Sequence, residues 1–138
     1  MIAFDTNALV RMLIEDDEKQ ANMVQQVVAL AEKNSAQIII LSEVLIETVW
    51  VLESVYRCTR KDISQFLELL ISTSTFIFPD SPVIRNASNQ YKKGGNFADL
   101  LIVSQARKWH ARKFFSFDKN LQKRFPHYVV QKLNQADL

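Results

Sequence analysis

Four consecutive large apolar residues, Ile38-Ile39-Ile40-Leu41, stand out in a chain whose other apolar positions mostly recur at helical spacing. A strand with one wet face alternates polar and apolar residues. An unbroken branched run fits instead a strand covered on both faces, the condition of parallel sheets. Parallel neighbours need crossovers, and the flanking sequence supplies them as helices. Met1 to Phe4 predicts a first short strand, ended by Asp5-Thr6-Asn7, residue types that stop strands and cap helices. A helix follows with Ala8, Leu9, Met12 and Leu13 on one face. After the acidic turn Glu15-Asp16-Asp17-Glu18 a second helix runs to about Lys33, with Met23, Val27, Leu30 and Ala31 inward.

Ser42 reads as the N-cap of a helix from Glu43 to about Tyr56, in which Leu45, Val49 and Leu52 share a face. Thr59 with Asp62 has the form of a capping box that opens a helix through Phe66 and Leu70. Thr75 to Phe78 is a short strand. Ser81-Pro82 is an N-cap followed by proline at the first helical position, and that helix ends at Gly94-Gly95. Asn96 caps the next, Phe97 to about His110. Lys113 to Ser116 forms a strand, and a short helical turn and a last strand near Tyr128 to Val130 follow. The expectation is a three-layer α/β/α domain around a mostly parallel, about five-stranded sheet, a single domain over residues 1–138. Right-handed crossovers bring every strand's C-terminal end to one edge, where ligands of such sheets bind.

Composition removes several alternatives. With 2 Gly and 3 Pro the chain lacks the material for turn-dense all-β folds or glycine-cradled phosphate loops. The single cysteine, Cys58, permits neither an internal disulfide nor a cysteine-based zinc cluster, and a reducing cytoplasm is expected. No basic leader precedes Asp5, and no apolar run is long enough to span a bilayer, so no membrane partner is expected. The charge is polarised. Residues 1–80 hold 12 acids and 6 bases, whereas residues 81–138 hold 3 acids and 11 bases. A basic C-terminal third suits an anionic partner, although such faces are more often only solvated.

Three acids meet the ligand-binding edge: Asp5 after the first strand, Asp118 after the penultimate one, and Asp99 in the first turn of the helix capped by Asn96. Each has a plain explanation as a helix-start residue. A mid-helix glutamate extends the set. Glu47 lies among Leu45, Ile46, Val49, Trp50 and Leu52, with Glu43 one turn earlier, and spacing does not choose between them. Like charges gathered without histidine or thiolate are stable around a hard divalent cation, and oxygen ligands favour Mg2+ or Mn2+ over zinc. Trp50 and Trp109, at apolar helical positions, are expected in the core. His110 and His127 lack metal-ligand spacing, and Cys58 reads as structural.

Phe4-Asp5-Thr6-Asn7, Glu47-Thr48-Val49-Trp50-Val51-Leu52, Asn96-Phe97-Ala98-Asp99-Leu100-Leu101-Ile102 and Ser116-Phe117-Asp118-Lys119-Asn120-Leu121 together resemble, in order and spacing, the PIN-domain ribonucleases. Among these the chain is most similar to the VapC-type toxins of toxin–antitoxin pairs, and the likeness covers essentially its whole length. The resemblance implies an Mg2+-dependent endoribonuclease, with Mn2+ as a substitute, whose catalytic and metal-binding residues are Asp5, Glu47, Asp99 and Asp118. It favours Glu47 over Glu43, and Asn96 stands where many relatives carry a further aspartate. Thr6 and Ser116 would orient a carboxylate or phosphate, or only satisfy local backbone. It further implies an RNA substrate, a cognate VapB-type antitoxin and a homodimer. Lys92, Lys93, Arg112 and Lys113 are candidates for contact with the RNA backbone. Two other readings fit less well: a catalytically silent scaffold of the same fold, which an intact acidic quartet disfavours, and an aspartyl-nucleophile phosphohydrolase, whose pattern needs a second aspartate where Asn7 stands.

Overall fold

In the computed structural model, which describes residues 1–138, Ile38 and Ile40 are completely buried, as an interior strand requires, while Ile39 is half-covered and Leu41 exposed. Their strand β2 (Ile38–Ile39) lies between β1 (Ile2–Ala3) and β3 (Phe76–Ile77), both parallel to it, with Ile2 opposite Ile38 and Ile38 opposite Phe76. A second parallel pair, β4 (Phe114–Phe115) and β5 (Val129–Val130), sets Phe114 opposite Val129. All five expected strands are thus present in a helix-rich α/β fold, and every strand pairing is parallel. The ladder, however, divides into groups of three and two, with no hydrogen-bonded pairing of β1 with β4. Strands of two residues form too few ladder bonds to impose one continuous sheet, and helix packing sets the arrangement instead.

The helices are α1 (Thr6–Leu13), α2 (Glu18–Lys33), α3 (Ser42–Ser54), α4 (Arg60–Ser72), α5 (Ser81–Lys93), α6 (Phe97–Lys108) and α7 (Lys119–Arg124), followed by a 3-10 turn at Gln135–Asp137. Thr59 and Asn96 cap as expected, accepting from the amides of Asp62 at 3.1 Å and Asp99 at 3.0 Å. Two serine caps are corrected. Ser42 is already helical, because extended Leu41 leads directly into α3 and its carbonyl takes the first helical bond, from Leu45. Ser81 yields to Asp80, whose carboxylate accepts from Val83 at 3.2 Å and also pairs with Lys108. That hydrogen bond from Lys108 holds the Asp80 carboxyl below its ordinary range, and a charged acceptor makes the stronger cap.

The inward face of α2 differs from expectation in part: Ala31 is inside as expected, but the other three residues are not. Ala21 and Ala31 are buried and Val24 and Val28 pack against the core, while Met23, Val27 and Leu30 are exposed. Both sets are valid helical stripes. The one with small residues faces inward, where α2 lies against α1. Trp50 and Trp109 are likewise outside, at 59% and 83% exposure. Trp109 follows the last turn of α6 beside His110, which takes a left-handed backbone (φ 62°).

α5 and α6 share the most extensive helix packing in the molecule. Tyr91 of α5 is fully buried against Phe97 of α6, ring edge to face at 5.8 Å, and its hydroxyl donates to Glu53 at 2.8 Å. Burial and that bond push the phenol well above its ordinary pKa, so it remains a neutral donor. Arg60 stacks 4.3 Å over the same ring and donates from one nitrogen to the carbonyls of Tyr91 and Gly95, each at 2.9 Å. This clamp fixes the α5–α6 turn and hence the start of α6. Replacing Arg60 with alanine removes two charge-assisted bonds and a cation–π contact, an expected loss of about 1–3 kcal/mol. Thermal unfolding would show it as a Tm lowered by several degrees.

Candidate active site

Asp118 caps α7 through one oxygen. Its Oδ1 accepts from the amides of Asn120 at 2.9 Å and Leu121 at 3.1 Å. Its own amide donates to the Ser116 hydroxyl at 3.1 Å, so Ser116 shapes the β4–α7 turn that presents the carboxylate. Asp5 behaves alike, its Oδ1 accepting from Ala8 at 3.0 Å at the start of α1. The capping role foreseen for these acids is therefore real, yet each leaves Oδ2 without a protein partner. Capping thus leaves one oxygen of each carboxylate open.

Asp99 has no capping duty. It sits in the first turn of α6, half-buried, with its amide held by Asn96 and both carboxylate oxygens free of hydrogen bonds from the protein. Burial lifts its carboxyl above the ordinary range, and the negative charge of Asp118 pushes the same way. Asp99 and Asp118 line one cleft of about 430 Å3, together with Asn96, Asn120, Lys123 and Arg124.

The two glutamates occupy a second hollow, of about 290 Å3, formed by Glu43, Glu47, Glu53 and Trp50 of α3 against Asn96 and Phe97. Asn96 borders both spaces, so the start of α6 divides the glutamates from the aspartate pair. Glu43 and Glu47 are both exposed despite their apolar helical neighbours. The structure thus brings Asp99 and Asp118 together. Asp5 heads α1 and Glu47 lies on α3, which pack on each other, and no three acidic, histidine or cysteine side chains gather at metal-ligand spacing. Thr6 begins α1 and makes no side-chain hydrogen bond.

The basic residues sort by what already holds them. Lys92 lies 3.4 Å from Glu68, and Lys113 donates to the His127 carbonyl at 2.8 Å. Lys93 and Arg112 are exposed without a protein partner. Two bases not singled out from sequence, Lys123 and Arg124, line the aspartate cleft itself, with Asn120. The signal for them was modest: a basic pair ends the short helix that Asp118 begins. Cys58 is partly covered, and burial raises its thiol pKa, consistent with a structural role.

Compared with known proteins, residues 2–126 match the model of the PIN domain family. The chain therefore belongs to the PIN-domain family. It is 31% identical over 124 residues to a VapC ribonuclease of Aquifex aeolicus (strain VF5), a span covering 89% of this chain and 91% of that relative. That likeness agrees with the VapC resemblance of the four sequence motifs. No solved structure matches significantly.

The asymmetry between Asp99 and Asp118 is measurable. A carboxyl with a raised folded pKa binds its proton more tightly when folded. The stability it confers is full below the unfolded value of about 3.9 and is lost as pH rises through the raised folded value. Asp99→Asn removes that loss, so it should match or exceed the wild type in Tm at neutral pH, with the gap closing below about pH 4. Asparagine caps as well as aspartate, so Asp118→Asn should leave Tm near wild type while Asp118→Ala costs about 1 kcal/mol. Thermal scans across pH check all three variants.

Proposed function

We propose that this chain is a divalent-metal-dependent endoribonuclease and the toxin of a toxin–antitoxin pair. The observation that carries the reading is the cleft at the start of α6, where the half-buried Asp99 meets Asp118 in a chain of PIN-domain sequence. The name of the Aquifex relative, VapC ribonuclease, supports the substrate class. The donor set fits a hard cation: all oxygens, two of them like-charged in one cleft, with Asp118 Oδ2 and both Asp99 oxygens free.

Asp99 and Asp118 would hold Mg2+, or Mn2+ in its place, with Asp5 and Glu47 completing the set directly or through water. A bound divalent ion lowers the pKa of a water and neutralises charge that develops on the phosphodiester. The chain's own groups do the rest. Ser116 and the α7 amides fix the direction of Asp118, and Asn96 fixes the first turn of α6 that carries Asp99. Half-burial of Asp99 raises the strength of its interaction with a cation relative to open water.

The partners follow from the same reading. An antitoxin of the VapB type would neutralise the protein by covering the cleft and its surroundings. A second copy would bury apolar helix faces, of which the exposed Met23, Val27 and Leu30 stripe on α2 is one. No helix is long and apolar enough to cross a membrane. A cytoplasmic location suits the lone cysteine.

The test is RNA cleavage with Mg2+, with chelator, and by variants. Cleavage should stop in EDTA and return with Mg2+ or Mn2+. Asp5→Asn, Asp99→Asn and Glu47→Gln should each lower turnover by at least about 100-fold, while Glu43→Gln stays near wild type. Full activity in both aspartate variants would end the assignment, and a reversal between the glutamates would move the fourth acid to Glu43. On the substrate side, Lys92 and Lys93, or Arg112 and Lys113, replaced as pairs with glutamine should each flatten the salt dependence of RNA binding. The expected change is about one to two units in log–log slope. An unchanged slope for both pairs would mark those bases as merely solvated.

A further inference from the structure

Gly94 and Gly95 are the only glycines in the chain, they are adjacent, and the same side chain lies over both. A Cβ built on either would run into the guanidinium end of Arg124, and both residues adopt positive φ (137° and 100°) that other residues rarely take. Bare backbone at the α5–α6 turn thus forms the seat of one arginine. The turn is itself rigid, because Arg60 grips the carbonyls of Tyr91 and Gly95. Arg124 is exposed and lines the cleft with Asp99 and Asp118, yet it pairs with neither and makes no hydrogen bond within the protein.

An exposed arginine that lies over bare backbone beside two carboxylates and is bonded to neither has its planar fork of donors available for an anion. It lies six residues beyond Asp118, at the opposite end of α7, about 9 Å along the helix axis. Lys123 beside it, with Asn96 and Asn120 as neutral hydrogen-bonding groups, lines the same cleft. Resting on the ribonuclease reading above, we propose that Arg124, seated on Gly94-Gly95 and assisted by Lys123, binds a backbone phosphate of the RNA strand at the α7 end of the cleft. It thereby sets the register of the strand against Asp99 and Asp118. It is a substrate-binding residue, and its fork geometry matters as well as its charge.

The experiment measures binding of a mixed-sequence single-stranded oligoribonucleotide to the Asp99→Asn protein across a salt series in Mg2+. The same protein is then compared with Arg124→Gln, Arg124→Lys or, as a control outside the cleft, Arg85→Gln added. Arg124→Gln should weaken binding roughly tenfold or more and lower the salt slope by about 0.7. Arg124→Lys should keep the slope but recover only part of the affinity, and Arg85→Gln should change neither. Mn2+ binding and Tm, measured on Arg124→Gln with Asp99 intact, should not fall.

Unchanged RNA affinity and slope in Arg124→Gln, with the parent still binding, would overturn the phosphate contact and leave the nuclease reading standing. Full rescue by Arg124→Lys would overturn the role of the fork. Loss of RNA binding together with Mn2+ binding and a lowered Tm would make Arg124 structural and overturn the proposal. A parent that binds no RNA and a wild-type chain that cuts none would overturn the nuclease reading, and this proposal with it.

Discussion

Asp99 and Asp118 repel each other across one cleft, and the surrounding structure is arranged to hold them there despite that repulsion. Asp118 is anchored by two amides at the start of α7, so its charge is stabilised on one oxygen while the other stays open. Asp99 receives no such help. It depends on α6 beginning where it does, which depends on the Asn96 cap and on the Arg60 clamp over Tyr91 and Gly95. The Tyr91–Phe97 contact beneath then carries the α5–α6 packing into the main core. A half-buried carboxylate without an ion-pair partner is a destabilising feature, and such features cluster at functional sites.

The same logic links the basic residues to the fold. Lys108 is committed to Asp80, Lys113 to a carbonyl, and Arg107 to the rings of Phe125 and Tyr128, 5.3 and 4.6 Å from its guanidinium carbon. Arg124 is committed to nothing but the two glycines it covers. The positive charge of the C-terminal third is thus partly structural, and of the bases left without an ion pair, Lys123 and Arg124 line the cleft of the aspartate pair.

The central strand was legible because the β-branched run Ile38-Ile39-Ile40 suits an interior strand, and the caps at Asp5, Thr59, Asn96 and Asp118 because a polar residue before an apolar periodic segment has a mechanical reason to be there. What periodicity cannot supply is which of two helical stripes meets the core. Of the stripe expected inward, Ala31 is buried, but Met23, Val27 and Leu30 gave way to Ala21, Val24 and Val28, and Trp50 and Trp109 are exposed where their helical positions suggested burial. Ser42 and Ser81 were displaced by one residue, within the usual uncertainty of helix ends. The division of the strands into two groups depends on tertiary packing that no local pattern encodes. In the site, the four acids were visible as residues at element ends and in a motif. The common edge of Asp99 and Asp118 was legible too, but not the separate hollow that holds Glu43 and Glu47, nor the seat of Arg124, which joins residues 94 and 95 to residue 124 through space.

Anomalous diffraction from crystals soaked in Mn2+ would test the central claim most directly, that the carboxylates of Asp99 and Asp118 form the metal-binding heart of the cleft. An anomalous peak is expected within coordination distance of Asp118 Oδ2 and an Asp99 oxygen, about 2.0–2.3 Å from each, with Asp5 or Glu47 reached directly or through one ordered water. Crystals with Mn2+ bound only elsewhere, or with the Asp99–Asp118 cleft empty at millimolar metal, would contradict it.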